Sequence, residues 1–219
     1  MSEITRCNVA VIGAGLSGVC AAIKLKEAGI TDFCVFEKAA DVGGTWRENR
    51  YPGVACDVPS HLYSYSFAPN PEWSRWYAPG PEIWDYVRKC AIDFEVYEQI
   101  RFNSAIESAD WQTDHWVLKD SSGATFAAQF IVSALGGLHT PNLPEIAGQD
   151  SFAGEQFHTT NWPEELDLTG KRVAVVGSGP ASITAADQHT AFSVLSKTGL
   201  DCDSAHFVWR AAGRSHENS

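Results

Sequence analysis

The chain has 219 residues, 44% of them hydrophobic and 20% charged, which is ample material for a buried core in one large domain or one and a half smaller ones. A formal net charge of -11 argues against nucleic acid, whose phosphates need a basic surface, and no apolar run is long enough for a membrane span or a secretory leader. Six cysteines (Cys7, Cys20, Cys34, Cys56, Cys90, Cys202) show neither C-x-x-C nor metal-ligand spacing, so reduced core thiols, no metal and a cytoplasmic location are expected.

Asn8 to Gly13 is a short β-branched apolar run, as for a strand buried on both faces. Gly13-Ala-Gly-Leu-Ser-Gly18 follows at once, and Val19 to Ala28 reads as a helix closed by Gly29. Phe33 to Glu37 is the next strand, with its acid roughly 20 residues beyond the loop. This βαβ unit predicts a dinucleotide site. Gly13 permits the tight turn, Gly15 admits a pyrophosphate to the backbone, and Gly18 lets helix and strand pack closely. The helix N-terminus offers N–H groups and partial positive charge to the phosphates, and Glu37 can accept hydrogen bonds from an adenosine ribose.

Gly43-Gly-Thr-Trp46, Asn49-Arg-Tyr-Pro-Gly53 and Cys56-Asp-Val-Pro-Ser-His-Leu-Tyr63 come next. Taken singly, Trp46 and Tyr63 read as core aromatics and Asp57 as a turn or helix cap. Pro69 to Pro81 reads as a loop whose aromatics (Trp73, Trp76, Tyr77) pack on the surface, and Glu82 to Phe94 has apolar residues at helical spacing. Ile100–Phe102, Trp116–Leu118 and Phe126–Ala134 read as short antiparallel strands with a turn at Ser121–Gly123, and Phe130 to Gly136 returns as a buried strand. Leu138 to Gly148 reads as a linker.

Lys171 to Gly177 is another strand feeding a glycine turn, Gly177-Ser-Gly-Pro-Ala-Ser182, with Ser182 at the third small position. Phe192 to Thr198 is the candidate for the following strand, although the helix between would be about a turn short. The tail from Ala205 to Ser219 shows no pattern.

Between the two loops lies Phe152-Ala-Gly-Glu-Gln-Phe-His-Thr-Thr-Asn-Trp-Pro163, or F-x-G-x-x-x-H-x-x-x-W-P. It resembles the signature of the flavin-dependent Baeyer–Villiger monooxygenases without a mismatch, and the run from Gly43 to Tyr63 is similar to the segment by which flavin monooxygenases hold FAD. The resemblance implies an α/β chain: an FAD/NAD(P)-binding Rossmann-like three-layer fold with a small antiparallel β insertion, followed by an incomplete second Rossmann domain. It further implies an FAD-binding domain over 1–148, an interdomain linker over 149–168 and the start of an NADP-binding domain over 169–219. Thr45, Trp46, Arg47 and Glu48 would lie along the flavin, with Asp57 and Val58 near its ring system, Tyr63 as a further contact, and Ala55 to Asp57 also bordering the nicotinamide. Gly177, Ser178, Gly179, Pro180, Ala181 and Ser182 would form the NADP loop, and Lys197 and Thr198 would meet the 2′-phosphate.

The activity so implied uses FAD, NADPH and dioxygen to insert oxygen beside the carbonyl of a ketone, giving an ester or lactone, in a setting such as secondary metabolism. Asp57 would act near the reacting oxygen, positioning an arginine that no residue here supplies or tuning protonation. His158, by itself most simply a surface or hydrogen-bonded histidine, would organise the hinge between domains rather than act as a general base. A full-length member is more than twice as long, so a truncated product, or an inactive FAD-binding remnant, is also expected. The other alternative is the sister class that oxygenates nitrogen and sulfur.

Overall fold

The computed structural model describes residues 4–137, 140–169, 171–177, 179, 181, 192–195 and 207–211. Two compact units divide the chain: Met1–Arg47 with Ser60–Gly137, and Glu48–Pro59 with Leu138–Ser219.

The first unit begins with β1 (Thr5–Ile12), α1 (Leu16–Glu27) and β2 (Phe33–Phe36). Strands β1 and β2 run parallel, with Ala10 opposite Cys34 and Ile12 opposite Phe36. Alternation sends Val9, Val11 and Val35 to one face and Ala10, Ile12 and Phe36 to the other. Both sets are buried, as the unbroken apolar run required. Helix α1 ends where Gly29, at φ +78°, turns the chain, and the Ile30 N–H closes back on the Leu25 carbonyl at 2.9 Å. After the short α2 (Thr45–Glu48) comes α3 (Gly80–Asp93), which opens with Pro81 in its first turn and buries Ile83, Tyr86, Val87, Cys90 and Ala91 along one stripe.

The strands β3 (Ile100–Arg101), β4 (Ile106–Trp111), β5 (Trp116–Asp120) and β6 (Thr125–Ser133) complete a six-stranded sheet in the order β3-β2-β1-β6-β5-β4. Its β3-β2-β1-β6 part is parallel, and β5 and β4 join antiparallel. This is the Rossmann-like arrangement with its antiparallel insertion.

Three sequence expectations change here. Ile100–Phe102, read as one of the antiparallel strands, is instead β3 on the parallel edge beside β2, because a two-residue strand carries no signal of its direction. Strand β4 was not anticipated, because Ile-Glu-Ser-Ala-Asp-Trp on an edge strand shows almost no apolar alternation and is mostly exposed. Phe126–Ala134 and Phe130–Gly136 are one strand, and its second half is not buried: Phe130 is 59% exposed. Residues Phe126 to Ala128 pair with β5 as well as β1, whereas from Phe130 onward the partner is β1.

The second unit holds β7 (Gln156–His158), β8 (Arg172–Val176), β9 (Phe192–Leu195) and β10 (Phe207–Ala211), ordered β7-β10-β8-β9. The β8–β9 pair is parallel, as at the opening of a second Rossmann-like sheet. Strand β10 corrects the reading of the tail as patternless, since it pairs antiparallel with both β7 and β8. Its β-prone Phe-Val-Trp core is only three residues long, too short for a periodic signal. Tyr51, Trp162, Leu168, Val173 and Val175 form the core of this unit.

Candidate functional site

The first glycine loop sits where β1 hands over to α1. Gly13 has φ +101°, and a Cβ there would lie 2.5 Å from the Ala134 carbonyl oxygen. At Gly18 a Cβ would meet the Gly13 carbonyl oxygen at 1.8 Å, so this glycine is what lets the first turn of α1 close against the strand end. Gly15 differs. Its φ is -74°, and an added Cβ would be 3.6 Å from the Gly44 Cα, an ordinary contact. Helix α1 starts at Gly15 with neither a side-chain cap nor an acidic residue in its first turn, so its dipole is not neutralised by its own side chains.

Glu37, directly after β2, is 4% exposed. Its Oε2 accepts the Ala14 N–H at 2.8 Å, and its Oε1 accepts the Ala39 N–H at 3.0 Å and the Arg47 guanidinium at 3.4 Å. The carboxylate is thereby clamped beside the loop, with Oε1 holding two donors and acceptor capacity left on Oε2. Arg47 also donates to the Asp41 carbonyl. The Gly43 N–H donates to the Ala14 carbonyl at 3.0 Å, bringing the Gly43–Trp46 turn against the loop. Trp46 and Tyr63, both expected along a flavin, meet each other: Nε1 of Trp46 donates to the Tyr63 hydroxyl at 3.1 Å, with the rings edge to face at 5.5 Å. Thr45 is exposed. Of the loop aromatics, Trp73 packs as expected, whereas Trp76 and Tyr77 lie exposed.

In the second unit, Tyr51 of the Asn-Arg-Tyr-Pro-Gly run packs in the same core as the signature's Trp162, whose ring stands edge to face with Phe157 at 5.3 Å. Arg50 pairs with Glu164 just past the signature. Two motifs more than a hundred residues apart thus share one hydrophobic anchor. Asp57, Ala55 and Val58 are exposed, Glu48 is half-buried, and Cys56 is buried with its sulfur accepting the Val58 N–H at 3.4 Å. Burial pushes the Tyr51 hydroxyl up from its ordinary pKa, and the Asp57 charge adds to this.

His158 is 5% exposed at the end of β7. Its Nδ1 accepts the Thr160 N–H at 3.2 Å and lies 2.9 Å from the Thr160 hydroxyl. Accepting a backbone N–H requires a lone pair at Nδ1, so the neutral ring carries its proton on Nε2. The histidine caps the short turn that follows.

The second glycine loop begins at Gly177, at φ +132° after β8, and Ala181 packs against the core of this unit. Gly179 is half-buried, and Ser178, Pro180, Ser182, Lys197 and Thr198 lie outside the described residues.

Residues 10–194 match the family described as pyridine nucleotide-disulphide oxidoreductase. The chain belongs to this family. It is 47% identical over 179 residues to a Baeyer-Villiger monooxygenase of Pseudomonas aeruginosa, covering 81% of this chain and 34% of that protein. Among solved structures it is similar to an oxidised steroid monooxygenase bound to NADP, with 38% identity and a TM-score of 0.77 over 87% of this chain and 38% of that one. It is also similar to OTEMO in complex with FAD and NADP, with 34% identity and a TM-score of 0.80 over 87% and 39% of the two chains. The chain spans about a third of the length of the curated relatives it matches. It therefore resembles the front portion of Baeyer–Villiger monooxygenases, as its signature implied.

For this member of the pyridine nucleotide-disulphide oxidoreductase family, one loop contact lay beyond sequence reasoning. The Tyr65 hydroxyl donates to the Leu16 carbonyl at 2.6 Å, pinning the first turn of α1 from a segment 49 positions away. The Tyr65 N–H in turn donates to the Tyr86 hydroxyl at 2.7 Å. No periodicity or motif announces a contact of that range.

Proposed function

We propose that this chain is the FAD-binding front of an NADPH- and dioxygen-dependent flavin monooxygenase that converts a ketone to an ester or lactone. The observation that carries the reading is the first loop: an uncapped α1 N-terminus, a central glycine that the protein's own packing leaves open, and a clamped carboxylate at the end of β2. These features fit the diphosphate and ribose of a dinucleotide. Similarity to Baeyer–Villiger monooxygenases supports the choice of FAD and of the reaction.

Bound FAD would supply electron transfer and oxygen activation, which no side chain can provide. The N–H groups at the start of α1 would hold its pyrophosphate, with Gly15 allowing close approach, and Glu37 would accept hydrogen bonds from the adenosine ribose. Thr45, Trp46, Arg47, Glu48 and Tyr63 would line the flavin. Ala55 to Val58 would border flavin and nicotinamide, with Asp57 supplying negative charge near the reacting centre. The loop from Gly177 to Ser182, with Lys197 and Thr198, would take NADPH, and residues 1–148, 149–168 and 169–219 would serve as FAD domain, linker and start of the NADP domain. His158 would act structurally, holding the turn after β7 through Thr160. A small ketone and dioxygen are the proposed partners.

The test is titration of the purified chain with FAD, read by flavin absorbance and fluorescence, followed by NADPH oxidation and product analysis with a ketone against a thioether. Ester formation supports the assignment, and sulfoxide without ester moves it to the sister class. A chain that takes up no FAD removes the reading.

A further inference from the structure

Tyr63 and Tyr65 tie the first glycine loop to the Gly43–Trp46 turn by a second route. The direct route is the Gly43 N–H bond to the Ala14 carbonyl, which fixes the near end of that turn. Its far end is tied through Tyr63, whose hydroxyl accepts the Trp46 Nε1–H at 3.1 Å. Two residues on, the Tyr65 hydroxyl donates to the Leu16 carbonyl in the first turn of α1 at 2.6 Å. A helix carbonyl has two lone pairs and spends one on the N–H four residues on, so Tyr65 takes the other. Burial pushes the Tyr65 hydroxyl above its ordinary pKa, which keeps in place the proton it donates.

Tyr65 is itself braced from behind. Residues 65–68 form a tight turn, closed by the Ala68 N–H on the Tyr65 carbonyl at 3.0 Å. The Tyr86 hydroxyl, from α3, clamps both limbs of it, accepting the Tyr65 N–H at 2.7 Å and donating to the Ala68 carbonyl at 2.8 Å. Phe67 in the same turn stacks on Tyr65 with ring centroids 5.0 Å apart, and the Lys24 ammonium of α1 stands 3.7 Å over its ring. The turn is thus wedged between α1 and α3, and Tyr65 reaches from it to the helix start.

We infer that Tyr65 is a positioning residue that holds the start of α1 in register with the Trp46–Tyr63 pair, so that one long ligand engages both at once. The inference rests on the FAD reading above, in which α1 takes the diphosphate while Trp46 and Tyr63 line the flavin. Tyr65 builds neither end of that site. The N–H groups belong to α1, which packs on the end of β1 through Gly18, and the two aromatics hold each other. What Tyr65 contributes is the spacing between the ends, which matters only to a ligand that occupies both. Two linked subsites reinforce each other only where their geometry permits simultaneous engagement.

The deciding experiment compares FAD with ADP, which carries the diphosphate but no flavin, on the unmodified full chain and on Tyr65→Phe. FAD binding is read by flavin fluorescence and ADP binding by calorimetry. The variant keeps its ring on Phe67, and the Leu16 carbonyl keeps its helical partner, so the urea midpoint should stay close to that of the unmodified chain. FAD should bind at least fivefold more weakly and ADP within twofold of the unmodified chain. Loss of stability alone would leave that ratio where it was. Tyr86→Phe opens the turn from the α3 side and touches no residue proposed to meet the ligand. It should give the same split, and it decides the matter if Tyr65→Phe does not fold. Unchanged FAD affinity overturns the inference while leaving the FAD reading intact. So does an equal loss of FAD and ADP, which would make Tyr65 a support for α1 alone. An unmodified chain that takes up no FAD removes the FAD reading and this inference with it.

Discussion

Replacing Gly15 and Gly18 separately by alanine distinguishes a glycine kept for a ligand from one kept for the fold. At Gly18 the new Cβ would fall 1.8 Å from the Gly13 carbonyl oxygen and 2.8 Å from its carbon. Both are backbone atoms, so α1 has to move off the end of β1. Such overpacking costs about 1–3 kcal/mol or more, offset in part by about 1 kcal/mol of helix propensity gained on replacing glycine. At Gly15 the nearest atom is the Gly44 Cα at 3.6 Å, and φ is already in the range any residue adopts. The remaining cost is the weaker helix-start preference of alanine, on the order of 0.5–1 kcal/mol.

Urea unfolding followed by far-UV circular dichroism should therefore place Gly15→Ala close to the unmodified chain and Gly18→Ala clearly below it. FAD titration should give the reverse emphasis. Gly15→Ala, though folded, should bind flavin at least tenfold more weakly, about 1.4 kcal/mol, because its methyl group occupies the approach of the pyrophosphate to the backbone. A folded Gly15→Ala chain with unchanged FAD affinity would refute the assignment of this turn to the diphosphate.

Glu37→Gln should cost about 3 kcal/mol in urea unfolding and release FAD, because one of the Ala14 and Ala39 N–H groups would face an amide donor and the buried Arg47 would lose its carboxylate. Trp162→Ala should destabilise the second unit by about 3–5 kcal/mol, read as loss of near-UV dichroism, since the indole packs with Phe157 and the Tyr51 core. Asp120, buried at the end of β5, is held below the usual carboxylate range chiefly by the Ser122 hydroxyl, then by Ser104 and the backbone N–H groups of Ala124 and Ser122. Because the folded pKa is depressed, the stability Asp120 contributes is present above the unfolded value of about 4 and is lost as pH falls through the lower folded value. Asp120→Asn should therefore flatten the fall in urea midpoint on acidification below about pH 4.

What was legible in the sequence was local. Apolar run, glycine spacing, helix and strand-end acid all fall between Asn8 and Glu37, and the structure places them as one βαβ unit. Strand β4 and the exposed half of β6 were obscured because their surroundings, not their own patterns, decide burial. The joint core of Tyr51 and Trp162 and the Tyr65 bond to Leu16 are long-range contacts that no window of sequence contains.

The division of labour among the three glycines follows from the same distinction. Gly13 and Gly18 are required by atoms of the chain itself, the Ala134 and Gly13 carbonyls, so their spacing would be needed even in a protein that bound nothing. Gly15 has no such requirement, and α1 begins there without a cap or an acid. A small residue where the fold asks for none, at an uncompensated helix N-terminus, is best explained by an anion that must come within hydrogen-bonding distance of the backbone. On the proposed reading, the clamped Glu37 beside it would fix which end of the dinucleotide lies over β2, since a carboxylate repels the phosphate and accepts from the ribose hydroxyls.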